Sequence, residues 1–114
     1  MTSTIWHNPR CSKSRQTKAL LEELGAEAEV REYLKEPPTR AELVALLEAL
    51  GLEDPRAIVR TGEDAYRQLG LADASPDELL DALVDNPILL QRPIVVRDGR
   101  AVIGRPPEDV HQLF

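Results

Sequence analysis

Near the end of the chain an Asp98-Gly99 step stands between two β-branched runs, Pro93-Ile94-Val95-Val96 and Ala101-Val102-Ile103. An Asp-Gly pair favours the two-residue turn whose backbone twist matches that of the strands on either side, so the runs are expected to form an antiparallel hairpin. Residues 107–113 then read as a final amphipathic turn or two, able to cover one face of the sheet that contains the hairpin.

The opening of the chain supplies the other half of such a sheet. Thr2-Ser3-Thr4-Ile5-Trp6 is β-branched and aromatic, and Asn8-Pro9 closes it, which predicts a short strand feeding a tight loop at residues 7–10. From Cys11 or Ser12 the pattern turns helical: Ala19, Leu20 and Leu24 recur at helical spacing, and Gly25 supplies the stop. Ala26, Ala28 and Val30 then alternate with Glu27, Glu29 and Arg31, a period of two that suits a strand beside the first, until residues 34–38 break it.

Between this unit and the hairpin lies a helical block. Thr39-Arg40-Ala41-Glu42 has the form of a capping box, followed by an apolar stripe of Leu43, Leu46, Leu47 and Leu50 and a stop at Gly51. Asp54-Pro55 starts a short segment whose end carries Arg60, and Gly62 and Gly70 bracket another around Tyr66 and Leu69. Ser75-Pro76-Asp77-Glu78 places a cap, a first-turn proline and a glutamate before Leu79, Leu80, Leu83 and Val84, with Asn86-Pro87 as the stop. The order strand, helix, strand, helical block, hairpin, helix predicts an α/β fold with a small mixed sheet.

At 114 residues and 42% hydrophobic, the chain is the right size for one core, so residues 1–114 are expected to form a single domain. A net charge of −6 repels nucleic acid and anionic membrane surfaces, and any anion site must be a local basic cluster. No apolar run reaches the roughly 18 residues of a membrane span, and Met1-Thr2-Ser3 leads straight into structure, so the expected compartment is the cytoplasm. One cysteine precludes an internal disulfide. With two distant histidines it makes no metal-ligand cluster, and no bound cofactor is expected.

That cysteine, Cys11, follows a proline-containing loop and sits where a helix begins. Unpaired N–H groups and the helix dipole there favour an anion, and Arg10, Lys13 and Arg15 add positive charge within about one turn. Such surroundings lower a thiol pKa, so Cys11 is expected to be a thiolate nucleophile. Ser12, Ser14 and Arg15 surround it; His7, four residues earlier, is placed as an organiser of the loop, not as the base, because the helix terminus and arginines already ionise the thiol. His111 reads as a surface residue. Arg60, Arg92 and Arg105 present planar forks of donors suited to tetrahedral oxyanions, and Arg92-Pro93 is a candidate cis peptide.

At these residues the sequence resembles the glutaredoxin-coupled arsenate reductases of the arsenate reductase/Spx superfamily. His7-Asn8-Pro9-Arg10-Cys11-Ser12-Lys13-Ser14-Arg15 matches their H-N-P-x-C-x-x-S-R loop, and Tyr33-Leu34 with Pro37-Pro38-Thr39-Arg40 matches their Y-L-x-x-P-P-T-R segment. Residues 66–71 resemble an E-L-G-L stretch, Asn86-Pro87-Ile88-Leu89 and Arg92-Pro93-Ile94-Val95-Val96 resemble P-I-L and R-P-I-V-V motifs, and Gly104-Arg105-Pro106 resembles the final arginine motif. Arg10 departs from the small residue common there, Ser12-Lys13 replaces a glycine-containing pair, and Gly62-Glu63-Asp64 also differs.

The resemblance implies a thioredoxin-like fold with a helical insertion, a catalytic cysteine at Cys11, oxyanion-binding arginines at Arg60, Arg92 and Arg105, supporting roles for His7, Asn8, Ser14 and Arg15, and a cis-proline at Pro93. It implies reduction of arsenate, or a similar oxyanion, to arsenite. With no second cysteine, an external thiol must resolve the adduct, and the resemblance points to glutathione as co-substrate and glutaredoxin as partner. Two alternatives carry different signatures. A polymerase-binding regulator of the Spx type commonly has a Cys-x-x-Cys switch, which Ser14 rules out here; a thiol-handling homologue would bind glutathione and ignore arsenate.

Overall fold

Asp98 and Gly99 both adopt positive φ, 53° and 74°, the geometry that lets a two-residue turn follow the strand twist. In the computed structural model, which describes residues 3–114, this turn joins β3 (Ile94–Arg97) to β4 (Arg100–Ile103), paired antiparallel from Arg97↔Arg100 out to Ile94↔Ile103. The chain divides into two compact units: residues 3–36 with Arg92–Phe114, and Pro37–Gln91.

The first unit holds β1 (Ser3–His7), α1 (Ser12–Glu23), β2 (Ala28–Glu32) and the hairpin, in a mixed sheet of order β2-β1-β3-β4. β1 runs parallel to β2, the pairing that a helical crossover between two strands allows, and antiparallel to β3. Ile5 pairs with Val95 and Val95 with Val102, so these side chains share one sheet face. There they pack with Leu21 of α1 and with Val110 and Leu113 of the C-terminal 3₁₀ segment Pro107–Leu113. On the same unit the Arg31 guanidinium lies 4.7 Å from the Trp6 ring centroid and donates to the Glu36 carbonyl.

Three local expectations shift. The first strand runs one residue past Trp6, so His7 belongs to β1, opposite Glu32, and the loop shrinks to residues 8–10; Thr2 lies outside the described residues. β2 begins at Ala28, two residues after the start of the sequence alternation, and Val30 is exposed because this is an edge strand. In α1 the buried positions are Ser14, Thr17 and Leu21, whereas Ala19 and Leu24 face solvent.

The second unit contains α2 (Arg40–Leu50), α3 (Asp64–Gln68) and α4 (Pro76–Asp85) with short 3₁₀ turns between them. Both reciprocal caps form: Thr39 with Glu42 at the start of α2, and Ser75 with Glu78 at the start of α4. Leu43, Leu46 and Leu47 of α2 and Leu79, Leu80 and Leu83 of α4 are buried, and Arg40 clamps the two helices through 2.6 Å contacts to Asp77 and Asp81. Arg56 donates to the Tyr66 hydroxyl and to the carbonyls of Leu71 and Ala74, holding the irregular middle segment. The turn after Asp54 ends at Ile58, so Arg60 lies beyond it, next to the Val59↔Leu90 bridge. No helix among the described residues is long and apolar enough to cross a membrane.

Candidate active site

The turn between β1 and α1 is built by its own side chains. The Asn8 Oδ1 accepts the Arg10 N–H at 3.0 Å, the Asn8 carbonyl accepts the Cys11 N–H at 3.0 Å, and the Asn8 N–H donates to the buried Ser14 Oγ at 3.2 Å. Arg15 closes the loop from outside by donating to the Pro9 carbonyl at 2.9 Å. Cys11 is thereby fixed as the N-cap of α1, half-buried, with the first helix hydrogen bond running from the Arg15 N–H to its carbonyl. The first turn of α1 carries no acidic residue, so the positive end of the helix dipole stays uncompensated.

Two arginines reach this thiol from the hairpin. Arg105 places Nη2 3.5 Å from the Cys11 Sγ while its Nε donates to the Arg92 carbonyl at 2.7 Å. Arg92 is buried and its side chain hydrogen-bonds the sulfur. Burial opposes ionisation of the Cys11 thiol, but the backbone N–H groups of Ser14 and Lys13, the Arg92 side chain and the Arg105 charge outweigh it and bring the pKa below the ordinary thiol value. The Arg92-Pro93 and Arg105-Pro106 peptides are both cis.

Arg60 belongs to the second unit, where its Nε meets Glu63 at 3.2 Å and its Nη1 donates to Gln91 at 3.3 Å. His7 is buried in β1; its Nδ1 has no hydrogen-bond partner, and burial, reinforced by the charges of Lys18 and Arg15 against that of Glu32, lowers its pKa. It ends a strand and is not a member of the loop. His111 is exposed.

Apart from the family resemblance, the residue pattern was not read as bringing Arg92 and Arg105 together, although the signal was present. A two-residue turn at Asp98-Gly99 fixes Ile94 opposite Ile103, and carrying the same register two residues further puts Arg92 opposite Arg105. Gly104 was also missed. A Cβ there would stand 2.7 Å from Thr17 Oγ1 and 2.9 Å from Pro93 Cγ, so α1, the Pro93 segment and the residue before Arg105 approach as only glycine permits. We expect Gly104→Ala to cost about 1–3 kcal/mol of stability, read from denaturant midpoints at unchanged slope.

Residues 6–113 match the profile of the ArsC family. The chain is 53% identical over 111 residues to the uncharacterized protein YfgD of Escherichia coli K12, covering 96% of this chain and 93% of that one. It is 48% identical over 112 residues to an arsenate reductase of Neisseria meningitidis serogroup A, with 96% of each covered. Among solved structures, the arsenate reductase from Vibrio cholerae superimposes with a TM-score of 0.97 at 46% identity, covering 100% of this chain and 98% of that one.

Proposed function

The chain belongs to the ArsC family, with its thioredoxin-like fold, and on that premise we propose that it is an oxidoreductase that reduces arsenate to arsenite. The observation that carries this reading is the Cys11 thiol at the start of α1 with the Arg105 guanidinium 3.5 Å from its sulfur and Arg92 hydrogen-bonded to it. The thiolate attacks arsenic, and one arsenate oxygen leaves as water once protonated. Arg92 and Arg105 hold the remaining oxygens and the charge that develops on them. Arg60 is assigned to the same oxyanion on the family resemblance alone.

Taking arsenic from the +5 to the +3 state needs two electrons, and the chain has one thiol. Glutathione then bonds to arsenic on the Cys11 adduct as a second oxygen leaves as water; a glutaredoxin thiolate removes the glutathione sulfur as a mixed disulfide, leaving the electron pair on arsenic. Hydrolysis releases arsenite and returns the Cys11 thiol. We assign this cycle to the cytoplasm, where thiols are kept reduced.

Arsenite formation from arsenate by purified protein, with glutathione and glutaredoxin omitted in turn, tests the reading. Turnover is expected only with glutathione present, and to be fastest with both. Absence of turnover while Cys11 still alkylates would favour the thiol-handling homologue instead.

A further inference from the structure

β2 is one edge of the sheet, and among the described residues no strand pairs with its outer side. Its side chains are open as well: Glu29 is exposed, and Val30 is 44% exposed. Such an edge presents unpaired N–H and C=O groups to any arriving strand, and proteins usually blunt it with lysine, proline or a bulge. Residues 28–32 hold no lysine and no proline, and their register with β1 is unbroken. We propose that this edge joins two copies of the chain, β2 against β2 in antiparallel register about Val30, so that two four-stranded sheets become one.

Backbone parity is the first argument. The Ser3 N–H donates to the Glu27 carbonyl at 2.9 Å, and along a parallel ladder residues turn their backbone groups alternately toward and away from the neighbour. Glu27, Glu29 and Arg31 therefore bond inward to β1, whereas Ala28, Val30 and Glu32 turn N–H and C=O outward. A two-fold axis beside Val30 sets Val30 against Val30 of the second copy and Glu32 against Ala28, outward-facing residues in every case. The Val30 N–H groups donate to Val30 carbonyls and the Glu32 N–H groups to Ala28 carbonyls. The Glu32 carbonyl stays out of the ladder, because it already accepts the Lys35 and Glu36 N–H groups of its own turn.

Charge selects this register from its neighbours. Sliding the copies by two residues keeps the parity but sets Glu29 against Glu29, or Arg31 against Arg31, on the axis, and like charges directly opposite are destabilising. With Val30 on the axis, each Glu29 faces Arg31 of the second copy and the two valines meet on the other sheet face. Arg31 is already placed for this: its guanidinium lies 4.7 Å from the Trp6 ring centroid, on the face where Glu29 of the second copy arrives. A five-residue edge makes a small contact, so the dimer is weak and depends on concentration.

Sedimentation equilibrium of the chain with Cys11 kept reduced tests the proposal, and it is independent of arsenate chemistry. We expect the native chain to dimerise as its concentration rises toward about 1 mM. Glu29→Arg, which sets arginine against arginine, should weaken self-association about tenfold or more, and Arg31→Glu, with glutamate against glutamate, should do the same. Mixed in equal amounts, these two variants should associate with each other about as well as the native chain does with itself, because every glutamate again faces an arginine. Should Arg31→Glu not fold for want of its contact with Trp6, Val30→Pro takes its place. Val30 is exposed and its N–H faces outward, so proline removes the central ladder donor without breaking the pairing with β1, and the dimer should be lost. A native chain that stays monomeric at about 1 mM overturns the proposal, as does a dimer that Glu29→Arg leaves at full strength.

Discussion

Replacing Cys11 with serine is expected to lower arsenite formation by at least about a thousandfold, because a hydroxyl at neutral pH offers no comparable anion to attack arsenic. The fold should not suffer. Cys11 is the N-cap of α1, with φ −90° and ψ 123°, and serine is among the residues that position prefers. Thermal midpoints of the two chains should therefore agree within a few degrees while their rates separate completely. A serine chain that unfolded with the loss of activity would make Cys11 a structural residue.

Arg105→Ala should give the second largest effect, a fall of about 10²–10³ in kcat/KM for arsenate, the usual range for removing one preorganised donor to a developing oxyanion. The same change takes a positive charge away from the Cys11 sulfur. The midpoint of the pH profile for Cys11 alkylation should then move up toward the ordinary thiol value near about 8.5. The sign for stability follows from linkage. A thiol whose pKa is depressed by folding stabilises the native state above the unfolded value, and that contribution is lost as pH falls through the depressed one. Arg105→Ala should reduce the alkaline part of native stability and leave the acid part unchanged. Arg105→Lys should recover the alkylation midpoint better than the turnover, since lysine restores a charge but not the planar fork that spans both Sγ and the Arg92 carbonyl.

The parts of this fold legible in sequence are those decided by neighbours in the chain. The caps at Thr39 and Ser75, the turn at Asp98-Gly99 and the glycine stops are local chemistry, and all form. The face of α1 was misread in part: of Ala19, Leu20 and Leu24, Leu20 packs against the core while the other two face solvent. The helix instead buries Ser14, whose hydroxyl accepts from the Asn8 N–H, and Thr17, against which Gly104 closes. Small polar residues chosen for close approach carry no hydrophobic period. His7 was read as loop because Asn8-Pro9 follows it, yet parallel pairing with Glu32 extends β1 by one residue, a contact between residues 25 apart in the chain that no local rule anticipates.

Of the candidate site, the place of Cys11 at a helix start was legible because a proline loop, a cysteine and a helix start are contiguous. Apart from the family resemblance, the apposition of Arg92 and Arg105 was available through the hairpin register, which depends on turn type as well as on strand identity.

The most direct measurement is arsenic-edge X-ray absorption of the protein incubated with arsenate in the absence of any other thiol. The account predicts an arsenic–sulfur scattering path in the native chain that disappears in Cys11→Ser. Oxygen neighbours alone in the native chain, with Cys11 reduced and alkylatable, would contradict attack by this thiolate on arsenic.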